Sequence, residues 1–279
     1  MAGPFIGREA IAAQLTTRVQ LASRHTRVFP GVYVDSDIEL TAADRAHAAW
    51  LWSGRRAVVG GFSAAALHGS AWVGPDRPAE LIHDNRHRLP GLLIRGDRVR
   101  PAEIVEVDGI RVTGAARTAV DLACWYPTAQ AVPGIDALGR AVKINDAEVR
   151  EILRKSGGRR GIVRARASLA LIDTGAESPQ ESRLRTVLVR AGLPRPQTQI
   201  PVYDGYWKPF AVLDMGWPDL KVGVEYDGDV HRSDPARWRR DVKRHERLQR
   251  CGWIVIRVVA GDRDADVISR VRSALARRA

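Results

Sequence analysis

Asp214, Glu225, Asp227 and His231 fall in one short stretch, Leu213 to His231, where acids interrupt otherwise apolar runs. Asp214 closes the run Ala211-Val212-Leu213. A Trp217-Pro218-Asp219 turn separates it from a second run, Lys221 to Tyr226, which carries Glu225 and leads into Asp227. Side chains alternate along a strand, so Val222, Val224 and Tyr226 share one face and Gly223, Glu225 and Asp227 the other. A hairpin joining the two runs brings Asp214 beside Glu225. Carboxylates that converge repel one another unless protons or a cation neutralise them. Mg²⁺, held by one or two carboxylates and by phosphate oxygens, suits that role. The chemistry that follows is metal-assisted hydrolysis, in which the ion polarises a phosphate and a base takes a proton from water. Histidine suits the last step, which makes His231 the candidate base. The same spacing also suits acids that cap a turn and face solvent.

The elements that must hold these residues follow from local signals. Ser178-Pro179-Gln180-Glu181 is a helix start, with Ser at the cap and Glu181 in the first turn. The helix stops at Gly192, and strands follow at 198–203, 210–215 and 221–226. A second helix opens at Ser233-Asp234-Pro235 and ends at Cys251-Gly252. It carries Arg237, Arg240, Lys243, Arg244 and Arg247, with Arg232 just before it. These cations form either a solvated face with i,i+4 pairs or, since acids are too few to pair them all, a surface that tracks phosphates. The run from Trp253 to Ala260 is almost wholly apolar, as expected of a buried central strand. A last helix covers 265–278. The order α-β-β-β-α-β-α predicts a mixed sheet flanked by helices.

Upstream, a short helical pattern at 9–15 precedes a helix that the hydroxyls of Thr16 and Thr17 can cap. The basic turn Arg24-His25-Thr26-Arg27 then leads into a hairpin-like run broken at Pro30-Gly31. Helix, helix, basic turn and wing resemble a winged helix-turn-helix. Helical spacing over 40–54 precedes a helix from Ser63 to His68, with Ser63 as cap. Strands are expected at 79–83, 92–96 and 104–112, a helix at 113–122, and helices through 135–173 broken at Gly157-Gly158-Arg159-Arg160-Gly161. The predicted organisation is a winged-helix-like DNA-binding module over 1–55, a small α+β domain over 56–130, a helical connector over 131–174 and a mixed-sheet domain over 175–279. The fold class is α+β in the first part and α/β in the last.

The chain has 279 residues, enough for two or three domains, and a net charge of +12 that arises almost entirely from arginine. Such an excess suits a polyanion, although a high-GC genome inflates Arg and Ala together. Two cysteines without a CxxC pair argue against zinc ribbons and disulfide scaffolds and suit a reducing compartment. No secretory leader or membrane span is legible, so the expectation is a cytoplasmic, nucleoid-associated protein.

These residues resemble two families. The pattern ESxLR at Glu181, LD at Asp214, VEYDGDVH at Val224 to His231, RDxxRxxxLxxxGW at Arg240 to Trp253 and IRV at Ile256 to Val258 is similar to the very-short-patch-repair (Vsr)-like branch of the PD-(D/E)XK nucleases. More loosely, PGVYV at Pro30, FSAAALHG at Phe62 and DGIRVT…ARTAVDLA at Asp108 resemble AbiEi-type antitoxins. The first resemblance implies a restriction-endonuclease-like domain that binds Mg²⁺, with Mn²⁺ as substitute, and cuts DNA. Asp214 and Glu225, supported by Asp227, would hold the metal. His231 would act as base, and Glu181 would occupy the helical acid position. One departure stands out: the lysine expected two residues after Glu225 is Asp227. A Mg²⁺-dependent DNA endonuclease acting in repair or defence is therefore one expectation, and a DNA-binding regulator or antitoxin-like protein without catalysis is the other. RNA finds no RNP-like motif here. DNA is the expected partner in both readings. A homodimer or a partner protein stays open.

Overall fold

Short helices and a β-hairpin open the chain, as the capping residues require. In the computed structural model, which describes residues 3–85, 88–228 and 235–278 (side chains of 235–238 excepted), Thr17 and Gln20 form a reciprocal capping box. This box starts α2 (Arg18–Arg24) after α1 (Gly7–Ala12). Strands β2 (His25–Phe29) and β3 (Val32–Asp35) pair antiparallel across Pro30-Gly31, and β1 (Phe5–Ile6) adds to β3. Next comes α3 (Ala42–Trp52), capped by Thr41 and Asp44.

The chain divides into two units, Met1–Ala170 and Leu171–Ala279. The first holds the small sheet β1-β3-β2 and a five-stranded sheet in the order β6-β5-β4-β8-β7. Its strands are β4 (Val58–Val59), β5 (Ala79–Ile82), β6 (Leu92–Arg95), β7 (Ile104–Val107) and β8 (Ile110–Thr113). One apolar cluster joins Ile6, Phe29 and Val32 to Trp50, Leu51, Val59, Leu81 and Val112, so the core runs unbroken across residue 55. The single strand expected over 104–112 is a hairpin instead. Asp108 and Gly109 both take positive φ (49° and 76°), as a two-residue Asp-Gly turn requires.

Helix α4 (Gly61–Leu67) begins two residues before the expected Ser63 cap. The reason is tertiary: the buried Glu80 carboxylate of β5 accepts the Phe62 amide at 2.7 Å, capping the helix from outside it. Ser63 is used otherwise, accepting the Glu80 amide at 2.9 Å. His68 ends α4 with Nε2 at 2.8 Å from the Thr113 carbonyl, a structural role. Helices α5 (Ala115–Trp125), α6 (Thr128–Ala141), α7 (Asp146–Lys155) and α8 (Ile162–Leu169) complete the unit, α7 starting on an Asn145 cap.

The second unit is built on a four-stranded sheet in the order β12-β11-β10-β9. Strands β9 (Gln197–Val202), β10 (Ala211–Trp217) and β11 (Val222–Asp227) form an antiparallel meander. From β11 the chain crosses through α10 (Pro235–Arg250) to β12 (Ile254–Val259), parallel to β11. Leu184 and Leu188 of α9 (Pro179–Arg190) and Val267 and Val271 of α11 (Asp264–Ala276) pack with Met215, Val222, Val224 and Val258. On the other face, Leu248 of α10 packs with Ile200, Leu213 and Trp253. Strand β12 is thus at the edge, not the centre. Helices cover both its faces, so its composition reads as central although it has one strand neighbour.

Gly216 faces Gly223 across the β10–β11 ladder. A Cβ there would overlap the Val222 carbonyl oxygen and lie 2.8 Å from the Gly223 Cα, both backbone atoms that cannot swing aside. Gly216→Ala is expected to destabilise the second unit by about 2 kcal/mol, in the range of overpacked sites, read from its urea midpoint.

Candidate functional site

The β10–β11 register sets Met215 opposite Val224, which places Asp214 and Glu225 at neighbouring positions on adjacent strands. Asp214 Oδ2 accepts the Tyr226 amide at 2.7 Å, a side chain occupying a backbone position in the ladder. Glu181, buried in the first turn of α9, accepts the Glu177 amide at 2.8 Å and the Gln199 side-chain amide at 3.3 Å. Burial raises the Asp214 carboxyl to about 7, and the charges of Glu181 and Glu225 add to the rise. The Tyr226 amide and the Arg244 guanidinium oppose it. The Asp214 carboxyl thus lies within the field of both Glu181 and Glu225, and the hairpin register sets it beside Glu225 as expected.

Arg244 reaches them from α10. Its Nη1 donates to Glu225 Oε2 at 3.2 Å, and its Nη2 is paired with Oε1, a two-point grip on the carboxylate. The hydrogen bond with Glu225 raises the Arg244 pKa. A guanidinium therefore stands where the sequence reading places a divalent ion. Among the described residues, no group of three or more His, Cys, Asp or Glu side chains is placed to hold a metal. Asp227 shares its face of β11 with Glu225 but is only half-buried. Arg244 supplies the positive charge that neutralises Glu225 in this arrangement.

The remaining expected residues distribute as follows. His231 and Arg232 lie outside the described residues, and of Arg237 only the helical backbone is described. Arg240 and Lys243 are exposed on α10. Arg244 and Arg247, expected to grip phosphate, are engaged within the unit. Arg247 pairs with Asp204 and lies 4.1 Å from the Phe210 ring centroid. Asp204 and Gln199 were not singled out from the sequence. Asp204-Gly205 is a turn signal that could have been read, whereas nothing local marks Gln199, whose φ is +51°.

A second candidate surface lies on α2. None of its residues is buried, and Arg18, Val19, Ala22, Ser23 and Arg24 are exposed, with Arg27 exposed on the adjoining β2. Its exposed arginine-bearing face adjoins the β2–β3 hairpin, because α2 runs directly into β2. No helix among the described residues is long and apolar enough to cross a membrane.

Residues 57–171 match the AbiEi antitoxin C-terminal domain, a span that contains the five-stranded sheet and helices α4 to α8. The match ends at residue 171 and does not extend over the acids of the second unit. No solved structure matches the chain. Two relatives from Mycobacterium tuberculosis, the uncharacterized proteins MT2308 of strain CDC 1551 and Rv2248 of strain H37Rv, are each 32% identical over 247 residues. The alignment covers 85% of this chain and 86% of each relative. The chain belongs to the family of these mycobacterial proteins, and its residues 57–171 are similar to the AbiEi antitoxin C-terminal domain.

Proposed function

We propose that the protein is a DNA-binding regulator of the antitoxin type, in which α2 and the β2–β3 hairpin engage duplex DNA. The observation that carries this reading is the AbiEi antitoxin C-terminal domain at 57–171, packed in one unit with the helix-helix-hairpin segment that precedes it. Exposed arginines at 18, 24 and 27 supply the charge for phosphate contacts, and Val19, Ala22 and Ser23 the small side chains that fit against base edges. A toxin is the corresponding protein partner. In this reading Arg244 neutralises Glu225 in place of a metal.

Duplex DNA binding by the full chain tests it. Binding is expected to fall steeply with salt, to survive EDTA, and to weaken roughly tenfold in an Arg18→Ala, Arg24→Ala double variant. DNA is expected to stay intact with Mg²⁺ or Mn²⁺. Cleavage that requires either metal and disappears in Asp214→Asn would replace this reading with the endonuclease.

A further inference from the structure

The loop joining β9 to β10 exposes aromatic surface that folding does not use. Trp207 is 91% exposed and Tyr206 70%, and Tyr203 beside them is also exposed. Leaving an indole in water forfeits the largest apolar contribution a single side chain offers. The loop is nonetheless held in place. The Arg247–Asp204 ion pair, Arg247 against the Phe210 ring and the Cys251 Sγ 3.8 Å from the Tyr203 carbonyl tie its base to the last turn of α10 and the residue that follows it. The same unit presents exposed cations at Lys208 in the loop and at Arg239, Arg240, Lys243 and Arg250 along α10. Glu246 is the one acid in that set of exposed α10 positions.

From this juxtaposition we infer that Tyr206 and Trp207 form a stacking platform for unpaired bases of a single-stranded nucleic acid, whose backbone runs along the α10 cations. Bases have a π-face that stacks on an aromatic ring regardless of sequence, and a cationic track beside the ring holds the phosphates. Charge complementarity favours this occupant over an apolar protein surface. A row of arginines would have to be desolvated against such a surface without a partner. A duplex offers no unstacked base to the ring, so the platform selects single strands, bulges and frayed ends. The inference concerns the second unit and does not depend on how α2 binds duplex DNA.

The full chain titrated with a short unstructured oligodeoxynucleotide provides the test. Trp207→Ala is expected to weaken binding roughly tenfold and Trp207→Phe to keep most of the affinity, because a phenyl ring still stacks. The emission that distinguishes wild type from Trp207→Phe should be quenched as the oligonucleotide binds. Val163→Ala, which alters an exposed apolar side chain of the first unit, should bind like wild type. Three results would overturn the platform: no binding of the single strand by wild type, equal binding by Trp207→Ala, or Trp207 emission that responds to anionic phospholipid vesicles and not to the oligonucleotide. Duplex binding is scored separately, so either result can fail while the other stands.

Discussion

Arg117→Ala should lower the stability of the first unit by about 3–5 kcal/mol, the range for a buried ion pair that loses one partner. Arg117 is 4% exposed on α5. Its Nε donates to Asp121 at 2.7 Å, and its Nη1 donates to the Arg98 carbonyl at 3.0 Å and pairs with Glu103. Burial raises the Asp121 carboxyl, and the guanidiniums of Arg117 and Arg159 hold it back. Arg159 in turn bridges Asp121 to Asp97, which accepts the Trp125 indole N–H. Removing Arg117 leaves two buried carboxylates short of donors and unties the segment before β7 from α5. Lysine cannot serve three acceptors in one plane, so Arg117→Lys should recover only part of the loss. An exposed pair gives the contrast. Arg154 and Glu151 pair on the solvent side of α7, and Arg154→Ala should leave the urea midpoint almost unchanged. Urea midpoints at constant m would establish the difference. Equal shifts for the two variants would show that the network contributes little.

The second large effect has the opposite sign. Asp214→Asn should make the second unit more stable at pH 8, by about 2 kcal/mol. The ordinary Asp value is 3.8 and the folded one about 7, so the folded state holds a proton that the unfolded state has released. Stability contributed by that proton is present below about pH 4 and lost as pH rises to about 7. A shift of this size corresponds to about 4 kcal/mol, and solvent around a half-buried group screens roughly half of it. Asparagine carries no charge and can still accept the Tyr226 amide. Wild type and variant should therefore coincide below about pH 4, diverge progressively up to about pH 7 and keep a constant gap above it. A difference that does not change with pH would mean that neither burial nor the charges of Glu181 and Glu225 raise this carboxyl.

Local chemistry alone determined much of this protein. Thr17 with Gln20, Thr41 with Asp44 and Ser178 before Pro179 mark helix starts because each cap is satisfied within a few residues. The Trp217-Pro218-Asp219 turn and the alternation from Val222 to Asp227 were enough to set Asp214 against Glu225, since register follows from turn and pleat. The spread of arginine along α10 was legible in the same way. What those arginines do was not. Arg244 closes on Glu225 and Arg247 on Asp204 from residues 19 and 43 positions away, and no local pattern encodes such a partner. Glu80 capping α4 from another strand, β12 lying at an edge, and the Arg117 network are of the same kind. Sequence spacing determines which face a side chain takes, because backbone geometry repeats. Only the packed chain decides which opposite charge reaches that face first, because burial makes that nearest charge dominate the energy.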